Sequence, residues 1–413
     1  MVVRRTNMCV ERPEVFMAQI WAGVDVGRTH HHCVVIDSEG KRLLSRRIAN
    51  DETELLRLMG DAADLGDQVT WAMDVPDGGA ALLIGLLVTH DQQLLYLPGR
   101  TLNRAAGGYR GEGKTDSRDA AIIADQARMR RDLRPLRPGD EVTVELKLLT
   151  ARRSDLVADR TRVINRMRAL LVGIFPALDR ALEDLTRTGQ LMLLTGYQTA
   201  AALRRIGLVR LECWLRTRKA RHADKIAAAA VAAAHQQHIR LPGEALTATV
   251  IAELAGEVMA LNDQIKKTDT LIETRFRQHE LAEVITSLPG FGSLLGAEFL
   301  AVTGGDLASF ATPDRLAAFA GLAPAPWDSG RIRGNLHRPR RYHRGLNRVF
   351  YMSAMVSITC CPESRRFYDR KRAEGKRHNQ AVLALARRRV NVVWALIRDH
   401  RLYQPAPPGT AAA

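Results

Sequence analysis

The sequence predicts an α/β domain followed by a longer, mostly helical region, on three observations. Short strands alternating with helices fill the first hundred residues, heptad spacing runs through the middle, and a cationic stretch interleaved with apolar residues ends the chain. The 413 residues leave room for two or three domains. With 46% hydrophobic residues, 26% charged residues and 16 prolines, a largely disordered chain is excluded. The longest apolar run, Ala80 to Thr89, is closed by His90 and Asp91 and is about half of a membrane span. Met1 to Arg12 is polar and basic, unlike a signal segment. Five cysteines (Cys9, Cys33, Cys213, Cys360, Cys361) are too few for a disulfide framework, and without a CxxC pair they do not point to structural zinc. A soluble, cytoplasmic protein with no membrane partner is expected.

Ile20 to Ile36 reads as two strands, IWAGVDV and HHCVVI, divided by Gly27-Arg28-Thr29. Asp37-Ser38-Glu39-Gly40 is a turn, and Lys41 to Ile48 returns as a third strand. A helix (Glu52 to Ala63), a buried-type strand (Gln68 to Met73), a helix (Gly79 to Val88) and a strand (Gln93 to Leu97) follow. An antiparallel meander and then alternating helix and strand is the order of a ribonuclease-H-like mixed sheet.

Beyond it the spacing changes. Val142, Leu146, Leu149, Leu156, Val163, Met167, Leu170 and Ile174 follow steps of four and three, with Arg153 and Arg160 in the same seam. A second seam runs through Ile251, Leu254, Val258, Leu261, Ile265, Thr268 and Ile272. Two such seams make an antiparallel hairpin, an intermolecular coiled coil or both; bundle packing within one chain explains them equally well. Leu288-Pro289-Gly290-Phe291-Gly292 is a turn presenting backbone amides before the apolar helix Leu294 to Val302, a fit for gripping a phosphate backbone. Thr312-Pro313 caps a helix from Asp314 to Ala320, and a loop with Pro324 and Pro326 leads into the basic region.

The charge is unevenly placed. Nineteen Lys or Arg face four acids between Arg331 and Tyr403, so nearly all of the net +16 lies there. A near-neutral body with one cationic, foldable end implies a localised polyanion-binding surface.

Asp25 and Asp74 end two strands, and Asp116 and Asp119, three apart in KTDSRDA, share a helix face. Singly each is a cap or turn aspartate. Together, four carboxylates can hold two divalent ions about 3.5 to 4 Å apart for phosphoryl transfer, and hard oxygen ligands suit Mg²⁺. His30 and His32 share a strand face near Asp25. Ser329 is an ordinary loop serine on spacing alone; Arg331, Arg333, Arg338, Arg340, Arg341, Arg344 and Arg348 around it supply charge to offset a phosphate.

Taken in order, GVDVGRTHHHCVVID, the strand ending at Asp74, KTDSRDA, SLPGFGSLLGAEFLA and LAAFAGLAPAPWDSGRIRGNLHRPRRYHRGLNR resemble the DEDD-type transposases of bacterial insertion sequences, described as bridge-RNA-guided recombinases. The resemblance implies a RuvC-like domain over residues 19–135, a helical coiled-coil region over 136–280 and a serine-containing transposase domain over 281–403. Residues 1–18 would be an extension and 404–413 a frayed tail. It implies Asp25, Asp74, Asp116 and Asp119 as the metal-binding acids, with Asp74 standing where the family usually has glutamate. Ser329 would attack DNA to form a phosphoserine link. Target and donor DNA, a structured guide RNA, and a dimer assembling to a tetramer are the implied partners. The rival readings are a metal-dependent RuvC-like nuclease without a covalent intermediate, and a non-catalytic nucleic-acid-binding protein.

Overall fold

The computed structural model describes residues 19–75, 78–97, 99–109, 113, 115–131, 133–135, 141–305, 307, 310–331, 333–337 and 339–405. The expected N-terminal extension, Arg338 and positions 406–413 of the expected tail lie outside them. The chain divides into two compact units, Met1–Pro138 and Gly139–Ala413.

In the first unit β1 (Gln19–Asp25), β2 (His30–Ile36) and β3 (Arg42–Ala49) form the expected antiparallel meander. After helix α1 (Glu52–Ala63), strand β4 (Gln68–Met73) pairs parallel to β1 on its other side. Helix α2 (Ala81–Thr89) leads to β5 (Gln93–Tyr96), parallel to β4. Helices α3 (Gly99–Ala106) and α4 (Asp116–Met129) precede the two-residue β6 (Arg134–Pro135), giving the sheet order β3-β2-β1-β4-β5-β6. α1 and β4 coincide with the expected spans because their signals are local. Asp51 caps α1 by accepting the Glu54 N–H at 3.0 Å, and the β4 run is apolar because both faces of the strand are covered.

Period-two alternation sorts the sheet's two faces. Ile20, Ala22, Val24, Cys33, Val35, Trp71 and Met73 pack with Leu55 and Leu58 of α1 and Leu83 and Leu87 of α2. Trp21, Val34 and Ile36 face the opposite way, onto Ala120 and Ala124 of α4. Ala72 and Leu95 on that side meet Ile122, Ile123 and Ala127.

In the second unit α5 (Glu141–Ile174) runs out and α10 (Glu244–Phe276) runs back. Between them lie α6 (Pro176–Ala181), α7 (Thr188–Gly196), α8 (Ala200–Thr217) and α9 (Ala223–Ala234). The register of the long pair is antiparallel: Glu145 meets Arg275 at 3.0 Å, Arg153 meets Asp269 at 2.5 Å, and Arg160 donates to Asn262 at 3.1 Å. The two seam arginines therefore reach polar partners on the facing helix of the same chain. Leu156, Val163, Val258 and Leu261 belong to one core with α6 to α9. Leu146, Ile272 and Phe276 belong to a second core, built with the C-terminal helices.

Those helices are α11 (Ala282–Ser287), α12 (Ser293–Thr303), α13 (Pro313–Phe319), α14 (Arg344–Cys360), α15 (Pro362–Ala373) and α16 (His378–Arg398). Thr312 caps α13 as expected, accepting the Arg315 N–H at 3.3 Å. Gly290, at φ +86°, lets the α11–α12 turn press on α14: a Cβ there would lie 2.4 Å from the Ser353 carbonyl oxygen. The expected loop after Pro324 is instead a short hairpin, β7 (Ala325–Pro326) paired with β8 (Leu336–His337). Two residues per strand, one of them proline, leave no periodic signal to read. Among the described residues no helix is long and apolar enough to cross a membrane.

Candidate active site

Asp25 and Asp74 stand at one end of the first unit's sheet. Val24 of β1 pairs with Met73 of β4, so Asp25 and Asp74 follow at the same step on adjacent parallel strands. Gly23, two positions before Asp25, faces α4. A Cβ on Gly23 would lie 2.2 Å from the Ala120 carbonyl oxygen and 2.3 Å from the Ala124 nitrogen. The bare backbone of Gly23 thus allows α4 to lie against β1, and the first turn of α4 brings Asp116 and Asp119 beside the strand ends. Thr115 begins that helix by accepting the Arg118 N–H at 3.2 Å. Both aspartates sit in its first turn, where carboxylates interact favourably with the helix dipole.

Asp74 is half-buried, and among the described residues its Oδ1 is enclosed without a hydrogen-bond partner. Burial raises its pKa, and the charge of nearby Asp119 raises it further. A buried carboxylate beside a second one is costly unless it takes up a proton or a cation joins them. The donor set, all carboxylate oxygen, fits a hard divalent ion. As they stand, no three such groups among the described residues are gathered closely enough to enclose one. Asp25 is half-buried and Asp116 exposed.

A further group lines this edge. His32 is the cross-strand partner of Asp25. Its Nε2 lies 3.0 Å from Ser45 Oγ, which lies 3.2 Å from Ser117 Oγ on α4. Burial lowers the His32 pKa while the Asp116 charge opposes the shift. Of the other histidines, His31 turns to the opposite face, buried, its Nδ1 accepting the Gly27 N–H at 3.3 Å; His30 is exposed beside Thr29. The Ser45–Ser117 link could not be read from sequence, because the two serines are 72 residues apart.

Ser329 lies in the second unit, exposed in the β7–β8 hairpin. Trp327 N–H donates to the Asn335 carbonyl at 2.8 Å, and Asp328 Oδ1 accepts the Asn335 N–H at 3.0 Å, which closes the loop around it. Among the described residues no group hydrogen-bonds the Ser329 hydroxyl. Arg331, Arg333, Arg340, Arg341 and Arg344 are exposed. Arg344 opens α14 with no acid in the first turn, an arrangement that the helix dipole disfavours unless an anion is near. Arg348 differs from these five: it forms a two-oxygen ion pair with Glu298 of α12.

Residues 22–176 match a family model described as "Transposase", and residues 282–369 match one described as "Transposase IS116/IS110/IS902 family". The "Insertion element IS900 uncharacterized 42 kDa protein" of Mycobacterium paratuberculosis is 61% identical, covering 96% of this chain and 100% of its own. The "Insertion element IS116 uncharacterized 44.8 kDa protein" of Streptomyces clavuligerus is 50% identical over 96% of this chain and 98% of its own. A "Pilin gene-inverting protein" of Moraxella lacunata is 30% identical over 29% of this chain and 38% of its own. The strand ends and α4, which carry the four acids, and the hairpin that carries Ser329 all fall inside matched segments, and the chain belongs to the IS110/IS116 family of insertion-sequence transposases, enzymes that recombine DNA.

Proposed function

We propose that this transposase cuts and rejoins DNA through a covalent phosphoserine at Ser329, assisted by Mg²⁺ and directed by a structured guide RNA that pairs with target and donor DNA. The observation that carries the metal part is the enclosed, unpartnered oxygen of Asp74 beside Asp119, one strand from Asp25. Asp25, Asp74, Asp116 and Asp119 would hold the ion, which supplies neutralisation of the scissile phosphate's charge. The Ser329 oxygen attacks phosphorus, forming an O–P bond as the bond to one sugar oxygen breaks; that sugar leaves as a hydroxyl. Resealing reverses the exchange with an incoming sugar hydroxyl, so the phosphodiester energy is conserved. Similarity to a protein named for inverting a pilin gene supports a reaction ending in rejoined strands.

Arg331, Arg333, Arg338, Arg340, Arg341 and Arg344 would bind phosphates around the nucleophile, with Arg348 released from Glu298 to join them. The guide RNA rests on the family resemblance, and the cationic C-terminal stretch supports a polyphosphate partner. The enzyme would work in the cytoplasm on the nucleoid, as a dimer assembling to a tetramer. Ser329 of one subunit would meet the acids of another, so that cleavage awaits assembly. Val144, Leu148 and Leu271, 57%, 71% and 55% exposed on the long helix pair, support contact between subunits.

Denaturing electrophoresis of the enzyme with DNA and guide tests the reaction. A protein–DNA adduct that is lost in both Ser329→Ala and Asp116→Asn is expected. Free cut ends with no adduct at any time would instead support the metal-dependent nuclease.

A further inference from the structure

α15 and α16 fold back on one another, and the half-buried ring of Phe367 lies between them. Three cations approach this one ring: Arg370 at 5.2 Å, Lys371 at 5.6 Å and Arg388 at 5.2 Å from its centre. A cation over an aromatic ring is attracted by the ring's negative face. Three like charges crowded on one ring also repel one another. Arg370 and Lys371 share a single acid, Glu374, at 3.9 and 2.7 Å. Arg388 has no carboxylate partner among the described residues. Residues 362–398 hold eleven Lys or Arg against three acids, so the imbalance extends along the whole helical hairpin. Packing fixes the cluster, because Val382, Leu385 and Ala386 of α16 are buried in the C-terminal core. The cations are therefore pre-positioned by the fold and stay undercompensated until an anion joins them.

We infer that the α15–α16 hairpin is a second duplex-DNA backbone site, separate from the Ser329 hairpin, in which Arg370, Lys371 and Arg388 bind phosphates. Duplex DNA is the partner because the enzyme's own activity supplies a dense line of phosphates. The inference needs DNA as substrate but not a covalent serine intermediate. Its test is therefore a binding measurement on the full chain carrying Ser329→Ala.

Duplex-DNA affinity, read by fluorescence anisotropy across a salt series, should fall with salt on a slope of about 0.9 per phosphate contact. Combining Arg370→Gln, Lys371→Gln and Arg388→Gln is expected to reduce that slope by about 2.7. The same loss of charge at Arg57, Arg162 and Arg187, each exposed and paired with an acid three residues earlier, is expected to leave it unaltered. If the triple variant fails to fold by circular dichroism, Arg388→Gln alone should lower the slope by about 0.9. An unchanged slope overturns the inference. So does an equal drop in the charge-matched control, or a loss confined to a structured RNA probe.

Discussion

The acidic sheet end and the Ser329 hairpin, the two parts of the proposed site, are built by opposite means. Asp25 and Asp74 are placed by strand register, and Asp116 and Asp119 by a helix laid directly on the bare backbone of Gly23. A buried core enforces each of these relations. Ser329 instead stands on a hairpin paired through two residues per strand and closed by Asn335, with Trp327 beside it 69% exposed. A site for a small, highly charged ion needs fixed oxygens, which only a packed scaffold supplies. On the proposed reaction, a nucleophile that must reach a large duplex is better presented outward, its surroundings completed by the substrate and neighbouring subunits.

The sharpest way to break this contrast is to substitute one glycine in each region. Gly23→Ala drives a Cβ into the α4 backbone and should cost about 3 kcal/mol, seen as a lower midpoint in denaturant unfolding. At Gly330 nothing among the described residues lies within 4 Å of an added Cβ, and Gly330→Ala should stay within about 0.5 kcal/mol of the parent. Equal costs at the two positions would show that the hairpin is held as rigidly as the sheet. Next in size, Asp74→Asn removes a half-buried carboxylate from the neighbourhood of Asp119. It should raise the thermal midpoint of the metal-free protein while abolishing DNA cleavage, whereas Ser329→Ala should abolish cleavage without moving the midpoint.

Subunit contact gives an intermediate effect. Leu148→Glu on the exposed side of α5 should reduce the mass measured by light scattering without unfolding the chain. Leu156 and Val163 are unsuitable for that purpose, because both are buried in the chain's own core. The smallest effect concerns pH. His343 caps α14, its Nδ1 accepting the Leu346 N–H at 3.1 Å, and burial lowers its pKa below 6.5. The neutral ring is the one that caps, so its contribution is complete above pH 6.5 and is lost as pH falls through the lowered folded-state value. His343→Asn, which caps without titrating, should make the decline in stability between about pH 7 and 5 shallower; an identical decline would remove His343 from the account.

Most of the first unit's elements were legible because they follow local rules. Alternating apolar residues mark the strands, and an i, i+3 pair of acids marks the face of α4. The heptad seams were legible too, but not their partner: Arg153 finds Asp269 across 116 residues, a pairing that no periodicity encodes. The same limit hid the reach of His32 through Ser45 to Ser117 and the pairing of Arg348 with Glu298. The hairpin around Ser329 was missed for another reason. Its strands are too short to alternate, and Asn335, which closes it, looks like any loop residue until its backbone and side chain are seen bonded to Trp327 and Asp328.

The direct test of the serine chemistry is mass spectrometry of the peptide containing Ser329, taken after the reaction is stopped in denaturant and the DNA digested by nuclease. A residual nucleotide attached through phosphate to the Ser329 side chain is the expected result. Cut DNA accompanied by an unmodified Ser329 peptide throughout the time course, or by a nucleotide on a different residue, would contradict it.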